Sequence, residues 1–279
     1  MTLPKTTLSE EDILDLQSAY KYLEHPSLAI RLSSALGTPI ETGLELLPKY
    51  WQRWLDSAVE FSIRKTLDVA ITSMGQLPTI EAHNRLHKLI AIGSGVIGGI
   101  GGPVALLAEL PITTAVMLRA IADIAHSQGE DLSTLESRFA CMQVFALGGR
   151  SLEDDAADTG YYGLRITLGF HFSRVASFAS GGGSTNIPAV IDLVRAIATR
   201  FGIAVSDKAA VQMIPVAGAL SGGALNLIFM QHFQDMALGH FTVRRLERKY
   251  GAEAIKIEYE RLTHEDAKAR KAFSDIEGW

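Results

Sequence analysis

Two long stretches without a charged side chain constrain this fold more than any other feature. Residues 89–108 and residues 209–234 contain no Asp, Glu, Lys or Arg. About 20 mainly apolar residues are enough for a helix to cross a bilayer. Both stretches also contain glycine, proline and polar residues, and glycine weakens a helix. The sequence therefore leaves three possibilities for each stretch: a membrane span, a hairpin that dips into a membrane, or a buried helix of a soluble bundle.

Composition narrows the class of protein. The 279 residues are 47% hydrophobic and 20% charged, which is too apolar for a disordered chain. A net charge of −5 argues against a nucleic-acid-binding protein, which is usually basic. The single cysteine, Cys141, excludes an intramolecular disulfide and fits a reduced, cytoplasmic location. The first residues lack the apolar core of a signal peptide, and no motif identifies a cofactor.

Apolar residues recur at helical spacing along almost the whole chain, and no segment shows the alternation of a strand. In residues 48–74, for example, Leu55, Val59, Ile63, Leu67 and Ile71 recur every four residues. We predict an all-α protein, a single multi-helix bundle whose apolar helices are hinged at Gly and Pro residues. The predicted helices are 9–24, 27–36, 48–74, 80–92, 103–127 with a kink at Pro111, 133–147, 153–178, 186–201, 206–250 with a bend at Pro215 and Gly218, and 252–273.

Glycines one helical turn apart mark both uncharged stretches. Six of the ten residues 93–102 are glycine, and a Gly-x-x-x-Gly pattern lets another backbone approach closely. Such a pattern favours helix pairing at a membrane or tight helix crossing in a soluble bundle, and both remain open. The candidate membrane-facing residues here are Gly95, Gly98, Gly99, Gly102, Pro103, Pro215, Gly218 and Gly222.

The densest acidic block contains Asp154, Asp155 and Asp158, and Tyr161, Tyr162 and Arg165 follow it. On a helix these residues share one broad face. They would form a carboxylate site for a metal or general base, or the acidic N-terminus that a helix dipole favours. No metal site is assigned.

A second polar block covers residues 231–251. His232, Asp235 and His240 are candidates for acid–base chemistry or metal binding. Residues 244–249 carry four bases and one acid, and a basic cluster beside an apolar segment can contact anionic lipid headgroups. The alternative is a solvated amphipathic helix whose charges pair internally. The candidate lipid-facing bases are Arg244, Arg245 and Arg248.

Three segments together resemble the EcsC family of bacterial proteins. They are the glycine-rich stretch that continues into Leu110-Pro111-Ile-Thr-Thr, the Asp-Asp-Ala-Ala-Asp-Thr-Gly-Tyr-Tyr block, and above all residues 233–251. The resemblance covers roughly residues 50–251. It implies membrane association and a membrane partner such as a transporter, and it implies no catalytic residue. We therefore divide the chain into an N-terminal helical segment 1–47, an EcsC-like domain 48–251 and a charged C-terminal helix 252–279.

Two functions follow as hypotheses. In the first, the protein is not an enzyme but binds a membrane, a lipid or another hydrophobic ligand, and is cytoplasmic and peripheral to the inner membrane. In the second, it is a metal-dependent, peptidase-like hydrolase that uses the Asp154/Asp155/Asp158 or the His232/Asp235/His240 cluster. Convergence of these groups in one pocket would favour the second hypothesis.

Overall fold

The protein is all-α in every part of the chain that its computed structural model describes. The described residues are 8–24, 28–37, 39–72, 102–149, 160–179, 188–214 and 222–277, and they contain helices without any strand. This confirms the predicted fold class. The helices are α1 (Glu10–Glu24), α2 (Leu28–Leu36), α3 (Glu41–Leu46), α4 (Trp51–Thr72), α5 (Gly102–Ser127), α6 (Leu135–Leu147), α7 (Tyr161–Ala179), α8 (Pro188–Met213), α9 (Gly222–Tyr250) and α10 (Ala252–Glu277).

Helix α6 forms the centre of the bundle. Every residue from Phe139 to Leu147 is buried, and α6 packs against α4, α5, α7, α8 and α9. A helix that is apolar on all sides is stable only inside a protein. Its N-cap is Thr134, whose Oγ1 accepts a hydrogen bond from the Ser137 amide at 3.2 Å. The prediction of Ser133 as the cap is wrong by one residue. Ser133 belongs to the preceding turn, where its amide donates a hydrogen bond to the Asp131 carboxylate.

The periodicity of α4 correctly identified its buried face. Leu55, Val59, Ile63 and Leu67 are all at most 1% exposed, and α4 packs against α5 and α8. Helix α5 continues through Pro111, which removes one backbone hydrogen bond without ending the helix.

Helix α8 corrects the prediction of two separate helices here. It runs from Pro188 to Met213 without a break, so Gly202 and Ser206 lie inside it. Glycine disfavours a helix by only about 1 kcal/mol relative to alanine. Burial of Phe201, Val205 and their apolar neighbours on α8 outweighs that cost. The short helix α3 was not predicted, and α10 extends to Glu277 rather than Phe273.

The N-terminal helices pack directly on the rest of the bundle. Helix α1 lies against α9 and α10, while α2 and α3 lie against α8. Gly239 permits the close approach of α1, since a Cβ there would lie 2.9 Å from Leu23 Cγ and 3.1 Å from the Ala19 carbonyl oxygen. Gly251 separates α9 from α10 with φ +92°, a conformation that favours glycine. The three-part division of the chain stays a prediction.

Candidate functional site

The basic stretch at the end of α9 faces carboxylates from other parts of the chain. Glu130 is buried between α5 and α6, and it accepts hydrogen bonds from Arg244 Nε at 2.8 Å and Nη2 at 3.1 Å. Arg248 also pairs with Glu130, and Ser137 donates to it at 2.7 Å. Burial favours the neutral carboxyl, but these hydrogen bonds and charges outweigh burial and lower the pKa of Glu130 to about 2.

Asp12 of α1 is the second buried acceptor. Its carboxylate accepts from Lys249 Nζ and from the Tyr250 hydroxyl, each at 2.6 Å, and from Ser9 Oγ at 2.6 Å. Arg245 pairs with Asp12 and, at 2.5 Å, with Asp15. Hydrogen bonds from Lys249, Ser9 and Tyr250 hold the pKa of Asp12 well below its usual range. Asp12 therefore fixes the first turn of α1 to the end of α9.

Glu247 is the third carboxylate of this region, and its partners lie on α7. Arg165 Nη1 and Nη2 donate to its two oxygens at 2.7 and 2.9 Å, and the Tyr162 hydroxyl donates at 3.0 Å. Such two-point pairing fixes both side chains. The sequence placed Arg165 and Tyr162 with Asp154, Asp155 and Asp158, but those three aspartates lie outside the described residues.

We name these side chains the polar network: Asp12, Glu130 and Glu247 with Arg165, Arg244, Arg245, Arg248 and Lys249. Each of the four bases of residues 244–249 has a carboxylate partner outside α9. A base that is already paired in this way has less charge to offer a lipid phosphate. The contacts therefore support the alternative of internally paired charges, and the partners lie outside α9 rather than within it.

The two histidines of α9 are buried and lie in different surroundings. His240 Nδ1 is 2.9 Å from the Tyr161 hydroxyl, whereas His232 Nε2 is 2.7 Å from the carbonyl oxygen of Gly148. Burial lowers the pKa of His232 to about 4 and holds the pKa of His240 well below its usual value. Asp235 contacts neither ring. It pairs with Arg31 at 2.7 Å and accepts a hydrogen bond from Gln231 at 2.6 Å.

These three residues thus do not form one site, although the sequence suggested that they would. Within the described ranges no group of three or more His, Cys, Asp or Glu side chains is arranged to hold a metal ion. Cys141 is fully buried, and burial raises the pKa of its thiol, as expected for an unreactive cysteine. No contact between described residues favours the hydrolase hypothesis.

The glycines and prolines predicted to face a membrane fall largely outside the described residues. Gly95, Gly98, Gly99, Pro215 and Gly218 lie outside the described residues, while Gly102 with Pro103 begins α5 and Gly222 begins α9. Other glycines allow helices to cross closely. A Cβ on Gly149 would lie 1.8 Å from the Arg200 carbonyl oxygen, and one on Gly148 would lie 2.4 Å from the Phe233 ring.

Helix length and hydropathy give no membrane-crossing segment in the part of the chain that the structure describes. None of its helices combines sufficient length with sufficient hydrophobicity.

Instead, large apolar side chains lie on the surface of α4 and α5. Trp54 and Phe61 of α4 are 54% and 52% exposed, Tyr50 just before α4 is 54% exposed, and Ile112 of α5 is 63% exposed. Trp54 and Phe61 border a groove of about 480 Å³ whose other side is formed by Leu107, Ala108 and Pro111. We name this surface the α4–α5 face: Tyr50, Trp54, Phe61, Leu107, Ala108, Pro111 and Ile112.

The α4–α5 face also has exposed bases at its border. Arg53 and Lys65 are exposed, and Lys65 Nζ lies 5.8 Å from the centroid of the Phe61 ring. Neither base forms an ion pair with a carboxylate of any described residue. The bases of the polar network, in contrast, are all paired with carboxylates.

Comparison with known proteins identifies the family. The model of the EcsC protein family matches residues 48–246, which is well over half of the chain. The chain belongs to the EcsC protein family. This confirms the resemblance drawn from the sequence. The α4–α5 face lies within the matched residues. Half of the polar network does so too, namely Glu130, Arg165, Arg244 and Arg245, and the other half lies outside them. Neither the curated proteins nor the solved structures contain a match to the chain.

Sequence reasoning missed the α4–α5 face. The signal was present, because Tyr50, Trp54 and Phe61 follow one another at spacings of four and seven and so share one side of a helix. The opposite side of α4 carries the stronger apolar pattern, which identified the buried face and left this second stripe unexplained.

Proposed function

We propose that the protein is a non-enzymatic, peripheral membrane-binding protein that docks on an anionic bilayer through the α4–α5 face. The observation that carries the proposal is the exposure of two aromatic side chains of α4 beside an uncharged surface of α5. Contiguous exposed apolar patches usually mark interaction sites. Tryptophan and tyrosine prefer the headgroup level of a bilayer, where the ring is apolar and its edge is polar.

The surroundings favour a bilayer as the occupant of this surface. Helix α5 has no charged residue in its first two turns, and Ala108, Ile112 and Ala115 line its exposed side. Arg53 and Lys65 flank the aromatic stripe, and their long side chains can reach headgroups while the rings lie deeper. In this proposal the protein is cytoplasmic and lies on the inner membrane without crossing it.

Vesicle sedimentation tests the proposal directly. The full-length protein, purified without detergent, is mixed with vesicles of phosphatidylcholine and phosphatidylglycerol in equal parts. We expect the wild type to sediment with the vesicles and the double variant Trp54→Glu/Phe61→Glu to stay in the supernatant.

The matched control replaces two other exposed apolar residues. Ile166 and Phe170 lie one turn apart on α7 and are 55% and 69% exposed. The variant Ile166→Glu/Phe170→Glu adds the same charge, and we expect it to sediment like the wild type. Equal sedimentation of all three proteins would overturn the proposal, as would a wild type that stays in solution. Loss of binding in the control alone would move the docking surface to α7.

A further inference from the structure

A second cleft, away from the α4–α5 face, lies between α6, α7 and α9. It has a volume of about 370 Å³, within the range of small-molecule sites. One part of its lining is apolar and includes Phe139 of α6 and Phe172 of α7, whose rings stack at 4.6 Å between centroids. Leu135, Ala140 and Ala176 extend this apolar lining.

The rest of the lining is polar and carries charges of both signs, since Glu136 lies there beside two arginines. Arg165 and Arg244 both border the cleft. The hydrogen bonds of Arg244 to Glu130 and Glu136 use Nε and Nη2, so they do not engage Nη1. The positive charges of Arg165 and Arg244 disfavour each other. Both guanidinium groups are already paired with carboxylates, so an anion in the cleft would use the unengaged Nη1 of Arg244.

Gln143 supplies an independent observation. Its side chain lines the same cleft and is 8% exposed, yet it makes no hydrogen bond to any described residue. Its amide borders the cleft and can hydrogen-bond a ligand there.

Gly169 leaves the cleft open. It lies inside α7, where glycine disfavours the helix, and a Cβ added there would meet no atom within 4 Å. The space beside it is therefore available to a ligand, and a larger side chain at this position would fill the cleft without colliding with the protein.

We propose that the cleft between α6, α7 and α9 binds a single-chain amphiphile, with its carboxylate or phosphate at Arg244, Arg165 and Gln143 and its hydrocarbon chain against Phe139 and Phe172. This cleft is separate from the α4–α5 face. It would bind an individual ligand molecule, whereas the α4–α5 face would bind a membrane surface.

The experiment measures binding of three probes of equal chain length by titration calorimetry: laurate, dodecyl phosphate and dodecanol, each below its aggregation limit. We expect saturable binding of the two anions, and binding of the neutral alcohol at least about tenfold weaker, because it lacks charge-assisted hydrogen bonds. The affinities of laurate and dodecyl phosphate are then compared. Tighter binding of laurate indicates a carboxylate ligand, and tighter binding of dodecyl phosphate indicates a phosphate ligand.

Two variants test the location. Gly169→Leu fills the cleft and should weaken laurate binding at least about tenfold, whereas Gly202→Leu is its matched control. Gly202 is also inside a helix and open to solvent space, but it lines a different cleft between α4 and α8. Gln143→Leu should reduce laurate affinity by about three- to tenfold and narrow its advantage over dodecanol.

Several outcomes would overturn the proposal: no saturable binding of either anion, equal binding of dodecanol, or laurate binding unchanged by Gly169→Leu. Circular dichroism and thermal unfolding confirm that each variant folds. Vesicle sedimentation of Gly169→Leu should match the wild type, and Trp54→Glu/Phe61→Glu should bind laurate normally. Failure of this site and failure of the α4–α5 face are therefore distinguishable.

Discussion

The polar network and the α4–α5 face depart from the usual distribution of side chains in opposite ways. Around the end of α9, carboxylates of Asp12 and Glu130 are buried and paired with bases from a distant part of the chain. On α4 and α5, Trp54, Phe61 and Ile112 are exposed while nearby Arg53 has no carboxylate partner among the described residues. The first arrangement holds the bundle together, and the second leaves apolar surface and positive charge available to another molecule.

The largest effect is expected from Glu130, the buried centre of the network. Glu130→Gln removes the charge that Arg244 and Arg248 share, and breaking a buried ion pair costs about 3–5 kcal/mol. Urea unfolding at neutral pH measures this loss. The matched control is Glu136→Gln, because Glu136 also contacts Arg244 but is 82% exposed. We expect the control to change stability by less than about 1 kcal/mol. Similar losses in the two variants would contradict the distinction between buried and exposed partners.

A pH-dependent effect should follow from the buried histidines. The pKa of His232 is about 4 in the folded protein against 6.5 as the ordinary value, so unfolding takes up a proton as pH falls below 6.5. Protonation of His232 in the unfolded chain should therefore lower the free energy of unfolding by roughly 2 kcal/mol as pH falls from about 7.5 to about 5. Asp207 opposes the trend, since burial and the charge of Glu41 raise its pKa to about 7 and stability then falls as pH rises.

The contribution of His232 is therefore measured by comparing the pH dependence of stability in the wild type and in a variant that lacks this histidine. Urea unfolding of the wild type and of His232→Gln is compared at both pH values, with the exposed His264→Gln as control. We expect His232→Gln to lose less stability on acidification than the wild type, and His264→Gln to behave like the wild type. If His232→Gln loses as much stability as the wild type, His232 does not remain neutral in the fold.

Bases beside the α4–α5 face should contribute more to membrane binding than bases on α10. Each base near an anionic membrane contributes about 1 kcal/mol, so Arg53→Gln/Lys65→Gln should weaken vesicle binding by about tenfold or more. The control is Lys256→Gln/Arg261→Gln on α10, where both bases pair with carboxylates on the same helix. Sedimentation across a series of vesicle concentrations gives both affinities. Equal weakening by the two pairs would show an unspecific charge effect.

The smallest effect concerns stability. Replacing Trp54 and Phe61 by serine removes side chains that are already half exposed, and surface substitutions usually change stability by about 0.5 kcal/mol or less. Urea unfolding of Trp54→Ser/Phe61→Ser should therefore resemble that of the wild type. A loss as large as that of a core substitution, about 2–5 kcal/mol, would show that these rings support the fold instead of a partner.

Sequence patterns predicted the parts of the fold that depend on local periodicity. The buried stripe of α4 follows from its repeat of four, and the junction at Gly251 follows from a glycine after the last turn of α9. Contacts between distant residues could not be predicted this way. Arg245 and Lys249 are more than 230 positions from Asp12, and nothing in the local sequence indicates that their partner is a carboxylate rather than a phosphate.

The candidate site shows the same limit. The grouping of His232, Asp235 and His240 rests on their closeness in the chain, but each side chain meets a different part of the bundle. His232 reaches Gly148, Asp235 reaches Arg31 and His240 reaches Tyr161. The α4–α5 face required knowledge of which side of α4 the bundle covers, and hydrophobicity alone identifies only that both sides are apolar.

Contact between Phe61 and the bilayer is the most direct test of the account. Cys141 is fully buried, so a cysteine introduced by Phe61→Cys can be labelled selectively with an environment-sensitive fluorophore, and Phe170→Cys provides the matched control on α7. With vesicles of phosphatidylcholine and phosphatidylglycerol, we predict a blue shift at position 61 and quenching by brominated lipids, with neither at position 170. Unchanged emission at position 61 in the presence of bound vesicles would contradict docking through the α4–α5 face.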